Sequence, residues 1–222
     1  MAADNSHASL ASSLTDLMTS LMVIFILLLV ASLNNAKAEG ESARNAVLSN
    51  LQRALQKFAA QGVTVEADPK DPLGLLVLVP GGLLNFEVDK WDIRPAGISF
   101  LHEFAPRLAN TACSKDFRSE MASIVVEGHT DTTGTDEHNL QLSQNRSMSV
   151  VQQILHELGD ASTNGNRACF LDLLSANGRG SVEAIKVNGK EDREKSRRVI
   201  FKIRVRSLEQ REIKALLGFV MV

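Results

Sequence analysis

From Glu127 to Arg146 the chain reads E-G-H-T-D-T-T-G-T-D-E-H-N-L-Q-L-S-Q-N-R. This stretch holds a carboxylate, an amide and a guanidinium at spacings that let them converge. Asp131 follows the apolar run Ser123–Glu127 and Gly128, so it sits where a strand gives way to a loop. The Gly-containing loop Thr132–Thr135 then feeds a helix starting at Asp136. On that helix His138, Asn139, Leu142 and Arg146 fall largely on one face, turned toward the loop that carries Thr130 and Asp131. Such a pocket suits a zwitterion: Asp131 holds an ammonium, and Arg146 grips a carboxylate through a bidentate pair. The alternative is an Asp131–Arg146 salt bridge that only steadies the loop. His129 and His138 make a weak metal site, because no cysteine supports them. His129 reads as a structural loop residue.

A second acid stands out at the other end of the chain. Residues 17–33, LMTSLMVIFILLLVASL, carry no charge, and the uncharged run continues to Ala36. Together with Leu14–Asp16 this gives about the 20 residues that cross a hydrocarbon core of about 30 Å. Asp16 lies near the N-terminal end of that segment. A carboxylate inside a membrane helix costs on the order of 3 kcal/mol at the centre and less toward an end, and such acids commonly mark ion pathways. Thr15, Thr19 and Ser20 place hydroxyls beside it, and Asp16, Thr19, Ser20 and Val23 share a helix face. The alternative is a helix-capping Asp16 at the headgroup level. A retained helix fits better than a cleaved signal peptide despite Ala36-Lys37-Ala38, because the preceding tail has no Lys or Arg and carries Asp4.

These groups need elements to hold them. The 222 residues leave room for one ordinary domain beyond the membrane segment. The net charge of −2 implies no broad nucleic-acid surface. No internal repeat or low-complexity stretch interrupts the chain, and no nucleophile–base pair or phosphate loop argues for an enzyme. Residues 34–45 are polar and small, a short exit from the membrane. Ala43–Ala60 is amphipathic, with Val47, Leu48, Leu51, Leu55 and Phe58 on one face and Gly62 as the stop; it either continues the membrane helix or pairs with its copy in a dimer. Strands are expected at Val63–Val65, Leu75–Val79, Leu83–Phe86 (returning after Pro80-Gly81-Gly82), Ser123–Glu127 and Arg197–Val205. Helices are expected from Pro95 to Asn110 and from Asp136 to Leu158, the latter offering Leu140, Val150, Val151, Ile154 and Leu158 to the core. The fold class is therefore a single N-terminal transmembrane helix plus an α/β (α+β) domain with helices packed on a small mixed sheet. Cys113 and Cys169 form no C-x-x-C pair. In an oxidising compartment they pair as a disulfide; two buried free thiols are the alternative.

Two resemblances follow from these motifs. Leu14-Thr15-Asp16-Leu17-Met18-Thr19 and the apolar run after it look like the membrane helix of the MotB family, with Leu14 a minor departure. That resemblance makes Asp16 the residue that binds the translocated ion, with Thr15 and Thr19 beside it. The ion is H⁺ by preference, though Na⁺ is compatible. The string V-E-G-H-T-D-T-T-G through N-x-x-L-S-x-x-R, with Arg197-Arg198-Val199 later and Phe86–Gly97 earlier, resembles the OmpA-like peptidoglycan-binding domain over about residues 75–206. In that family an Asp and an Arg bind the diaminopimelate of the stem peptide with help from an Asn; by resemblance these are Asp131, Arg146 and Asn139, with Thr130, His138 and Leu142 around them.

The resemblance implies a cytoplasmic tail (1–13), a transmembrane helix (14–35), a linker with its amphipathic helix (36–62), a periplasmic domain (63–207) and a C-terminal tail (208–222) packed on the domain or on a partner. Lys37, Arg44 and Arg53 after the helix point the opposite way by the positive-inside rule, but large domains translocate largely regardless of charge, and a wall-binding domain has no ligand in the cytoplasm. The implied function is that of a rotary stator subunit in the bacterial inner membrane. It works as a homodimer with a MotA/ZorA-like membrane subunit, about five copies of it around two of this chain. The very short tail, the linker without an obvious plug and the cysteine pair make it more similar to stator subunits of Zorya anti-phage defence than to flagellar ones. A flagellar-type stator subunit, a passive peptidoglycan anchor and a receptor for wall fragments are the alternatives. No cofactor is expected.

Overall fold

The computed structural model describes residues 2–84, 86–159, 165–207 and 210. The expectation for the 208–222 tail lies, apart from Gln210, outside them. The chain divides into two units, residues 1–40 and 41–222.

Helix α1 spans Ala2–Ala54. Its part in the first unit is long and apolar enough to cross a membrane, and from Leu14 to Leu33 its side chains are exposed in the isolated chain. Residues 34–45, expected as a polar exit, are helical as well; Ala, Lys and Glu there are strong helix formers. The amphipathic segment thus continues α1, and after Leu55 a short helix α2 (Gln56–Ala59) follows. Gly62, at φ +87°, ends it.

In the second unit the strands are β1 (Thr64–Ala67), β2 (Gly74–Val79), β3 (Met121–Gly128), β4 (Leu174–Gly178), β5 (Lys186–Val187), β6 (Lys190–Glu191) and β7 (Val199–Val205). The remaining helices are α3 (Pro95–Ala112), α4 (Asp136–Glu157), α5 (Gly165–Leu173) and α6 (Arg193–Ser196). The main sheet has five strands in the order β1-β2-β7-β3-β4. All neighbours are antiparallel except β3 and β4, which the α4–α5 crossover makes parallel. β5 and β6 form a separate hairpin.

Alternation along β7 puts Val199, Phe201, Ile203 and Val205 on one face. The register sets Val77 and Val126 on either side of Phe201 in the same row. Against that face lie Phe104 and Leu108 of α3, Val150 and Ile154 of α4, Phe170 of α5, and Val47, Leu51, Leu55 and Phe58 of α1 and α2. Phe58, Phe100, Phe104 and Phe201 make a chain of ring contacts at 4.9–5.6 Å between centroids. The disulfide Cys113–Cys169 ties the end of α3 to α5.

Two expectations fail. Leu83–Phe86 is not a returning strand. The amides of Leu83 and Leu84 both bond back to the Pro80 carbonyl, so the chain turns, and Leu84 plugs into the core; β2 already has β1 and β7 as partners. Leu140 is 53% exposed. The buried stripe of α4 runs through Asn139, Leu142, Ser143, Arg146 and Ser147, and position 140 falls outside it.

α4 sits unusually close to the sheet. Gly128 and Gly178 are register partners on β3 and β4. A Cβ on Gly128 would lie 2.3 Å from the Ser143 carbonyl oxygen, and one on Gly178 would lie 2.4 Å from the Gln144 amide nitrogen. The two glycines therefore let the helix backbone approach the strands, which brings Asn139, Leu142 and Arg146 over the end of β3.

Candidate functional site

The end of β3 and the start of β7 are paired Gly128 to Val199, and the His129 amide donates to the Arg198 carbonyl just beyond. Thr130-Asp131 and Arg197 thus leave the sheet side by side. α4 begins opposite them: Thr135 caps it by accepting from the His138 amide, and Gly134, at φ +94°, turns the chain into the cap. The 86–90 segment closes the far side. Together they line a cavity of about 460 Å³ holding Thr130, Asp131, His138, Asn139, Leu142 and Arg146, all expected from sequence, along with Phe86, Val88, Asp89, Arg193 and Arg197.

Asp131, 8% exposed, accepts from the Thr133 amide on Oδ1 (2.9 Å) and from Arg197 Nη1 on Oδ2 (2.7 Å). Burial pushes its carboxyl up, but the Thr133 amide and the Arg197 guanidinium more than offset this and hold it below the ordinary aspartate value. Asn139 Nδ2 donates to the Thr133 carbonyl at 3.0 Å, which fixes the same loop. Thr130 Oγ1 is buried and lacks a hydrogen-bond partner among the described residues.

Arg146, 4% exposed, pairs with no carboxylate among the described residues. It donates from Nε to the Lys90 carbonyl (3.0 Å) and from Nη2 to the Glu87 carbonyl (3.2 Å), and it stacks on Phe86 at 5.0 Å. Burial and the nearby Arg197 charge draw its pKa down, with Asp131 and Asp89 opposing. The Asp131–Arg146 salt bridge considered from sequence does not form; Arg197 takes that place. His138 lies against Asp89 at 2.6 Å.

Sequence reasoning did not assign Arg197, Phe86 or Asp89 to the pocket. Arg197 was visible only as part of the Arg197-Arg198-Val199 motif, and nothing local shows that β7 returns beside β3. The loop acid Asp89 is marked by nothing in the sequence, although its φ of +59° fits a turn. Behind the pocket, Glu127, His129 and Glu183 bring their ligand atoms within 4.8 Å of one another. Lys202 Nζ already sits 2.7 Å from Glu127 Oε1, so a cation is supplied from the chain. His129 is wholly buried, as a structural loop residue should be.

Comparison with known proteins places this architecture. The chain is 29% identical to the Zorya protein ZorB of Escherichia coli O139:H28 over 91% of its length and 83% of that protein's. It is 26% identical to ZorB of Escherichia coli strain ATCC 8739, over 90% and 88%. The peptidoglycan-associated lipoprotein of Pseudomonas aeruginosa is 27% identical over 53% of this chain and 60% of its own. Among solved structures, a MotB-like protein from Desulfovibrio vulgaris superposes with a TM-score of 0.53 at 18% identity, covering 77% of this chain and 99% of its own. The periplasmic domain of Helicobacter pylori MotB gives 0.50 at 19%, covering 70% and 90%. These structures share the fold. The match to the OmpA family spans residues 85–198, from the segment that Arg146 anchors to the first residues beside β7, and so covers the whole pocket; this ZorB-like chain belongs to the OmpA family.

Proposed function

We propose that the chain is a peptidoglycan-anchored, ion-driven stator subunit of a Zorya-type defence complex, non-enzymatic, with a MotA/ZorA-like membrane subunit as partner. The observation that carries the anchoring half is the pocket: a buried carboxylate and a buried guanidinium without an acidic partner among the described residues line one cavity. A carboxylate on Arg146 gives that guanidinium the acidic partner it lacks, and an ammonium beside Asp131 suits a carboxylate whose partner so far is the half-exposed Arg197. The end of diaminopimelate in a stem peptide carries those two groups on one carbon. Similarity to ZorB over most of the chain, and to a peptidoglycan-associated lipoprotein over the domain, supports the same ligand.

The motor half rests on α1. Thr19 Oγ1 shares its proton between the backbone carbonyls of Thr15 (2.8 Å) and Asp16 (2.9 Å), one helical turn from Asp16. Asp16 then binds and releases the ion, taken as H⁺, between two copies of α1 and the surrounding partner subunits. The N-terminus lies in the cytoplasm and the domain in the periplasm. The Cys113–Cys169 disulfide supports that orientation, since such bonds persist in oxidising compartments.

The test is co-purification of the full chain with its membrane partner, followed by two variants. Asp131→Ala is expected to abolish retention on purified peptidoglycan while the complex still assembles; undiminished retention would remove the anchoring site. Asp16→Asn is expected to leave assembly and wall binding intact and to stop ion flux and phage protection. Protection that survives Asp16→Asn reduces the chain to a passive anchor.

A further inference from the structure

Arg197 holds a position that ligand binding cannot leave unchanged. Its Nη1 donates to Asp131 Oδ2 at 2.7 Å, the carboxylate that the ligand ammonium needs. Its side chain is 49% exposed, and Asp131 is the one acid within salt-bridge distance of it among the described residues. A second cavity of about 180 Å³ opens beside the main one, and Phe86, Arg146 and Arg197 line both. The two guanidiniums are close enough for Arg197 to disfavour the charged form of Arg146. An anion between them relieves that repulsion. Glu194 also lines the smaller cavity but lies exposed on α6, where water screens it.

We propose that Arg197 is a specificity-determining residue that exchanges partners on binding. The ligand ammonium takes its place on Asp131, and the released guanidinium closes on the ligand carboxylate from the side opposite Arg146. The proposal rests on the stem-peptide reading and deepens it. In the empty site Arg197 stands in for the ammonium, so a ligand that brings only an ammonium breaks the Asp131–Arg197 pair and offers Arg197 nothing. A ligand with ammonium and carboxylate on one carbon restores both pairs. Diaminopimelate satisfies that condition at the stem-peptide side chain; lysine, with a bare ammonium there, does not. A site that binds buried polar groups rejects analogues lacking them far more strongly than apolar contacts do.

The experiment is calorimetric titration of the full chain in detergent with two stem tripeptides, one ending in meso-diaminopimelate and one in lysine. Wild type, Arg197→Gln and Arg197→Lys are compared, each checked by its thermal unfolding. The expected result is strong preference of wild type for the diaminopimelate peptide and a preference about tenfold smaller in Arg197→Gln, as follows from loss of one charge-assisted contact. Arg197→Lys, which keeps the charge, is expected to retain part of the preference. If Arg197→Gln weakens both peptides equally, or neither, Arg197 only steadies Asp131 and the exchange is wrong. If wild type binds neither peptide, the stem-peptide reading itself fails. Should Arg197→Gln unfold, an unchanged peptide ratio in Arg197→Lys, with its shorter reach and lost fork, overturns the proposal equally.

Discussion

Replacing Arg146 with lysine preserves the charge and removes the fork, and the structure makes the consequence large. Arg146 does two jobs from one guanidinium. Nε and Nη2 are committed to the Lys90 and Glu87 carbonyls, and the plane stacks on Phe86; the remaining N–H groups are left for a ligand. An ammonium is a point donor at the end of a flexible stem and cannot span two carbonyls and a carboxylate at once. Hydrogen bonds to a charged group contribute about 1.5–3 kcal/mol each. Loss of one loop bond and of bidentate geometry at the ligand therefore weakens binding by at least about 2 kcal/mol, roughly thirtyfold. The assay is titration of Arg146→Lys with the diaminopimelate tripeptide at neutral pH, alongside hydrogen exchange of residues 86–90. The expected outcome is a thirtyfold or greater loss of affinity together with faster exchange in that segment. Affinity within about threefold of wild type would refute the double role, because a simple positive charge would then be sufficient.

The remaining predictions concern stability. Glu127, buried on β3, is held at about 2 despite the opposing effect of burial, by His129 and Lys202. A depressed carboxyl stabilises the fold fully above its unfolded value and loses that contribution as pH falls through the folded one. Unfolding free energy should drop by about 3 kcal/mol between about pH 4.5 and 2, and Glu127→Gln, measured by urea titration across that range, should flatten the fall. Reduction of Cys113–Cys169, or replacement of both by serine, opens a separation of 56 residues and should cost about 4 kcal/mol in the chain-entropy model; unchanged melting of the reduced protein would count against it. Gly128→Ala drives a Cβ into the Ser143 carbonyl, displaces α4 and should cost at least about 1–3 kcal/mol, seen as a lower unfolding midpoint.

Legibility in the sequence followed the physical range of each signal. The helices α3 and α4 and the strands β2, β3 and β7 are carried by periodicity and lie where it puts them, and the six residues of the contiguous motif line one cavity. α5 and β4 escaped because helix passes to strand directly at Leu173-Leu174, with no turn residue between them, and Ser175-Ala176-Asn177-Gly178 has no β-branched residue. Leu83–Phe86 misled because an apolar segment after a glycine turn fits a hairpin as well as a plug, and only the prior occupation of both edges of β2 decides between them. Arg197 is the instructive miss. Its approach to Asp131 spans 66 positions and depends on β7 lying between β2 and β3, a fact of topology with no local trace.

The disulfide encloses more than a loop. Between Cys113 and Cys169 lie β3, the Thr130–Asp131 turn and the whole of α4, so the closed loop contains most of the residues that line the cavity. The bond forms only where thiols are oxidised. In a reducing compartment the domain folds without the staple and is the weaker by about 4 kcal/mol. That is a large share of the about 5–15 kcal/mol that holds an ordinary domain folded. Without the staple the region around the cavity opens more often and comes within reach of proteases, so the oxidation state of one bond sets how long the fold persists.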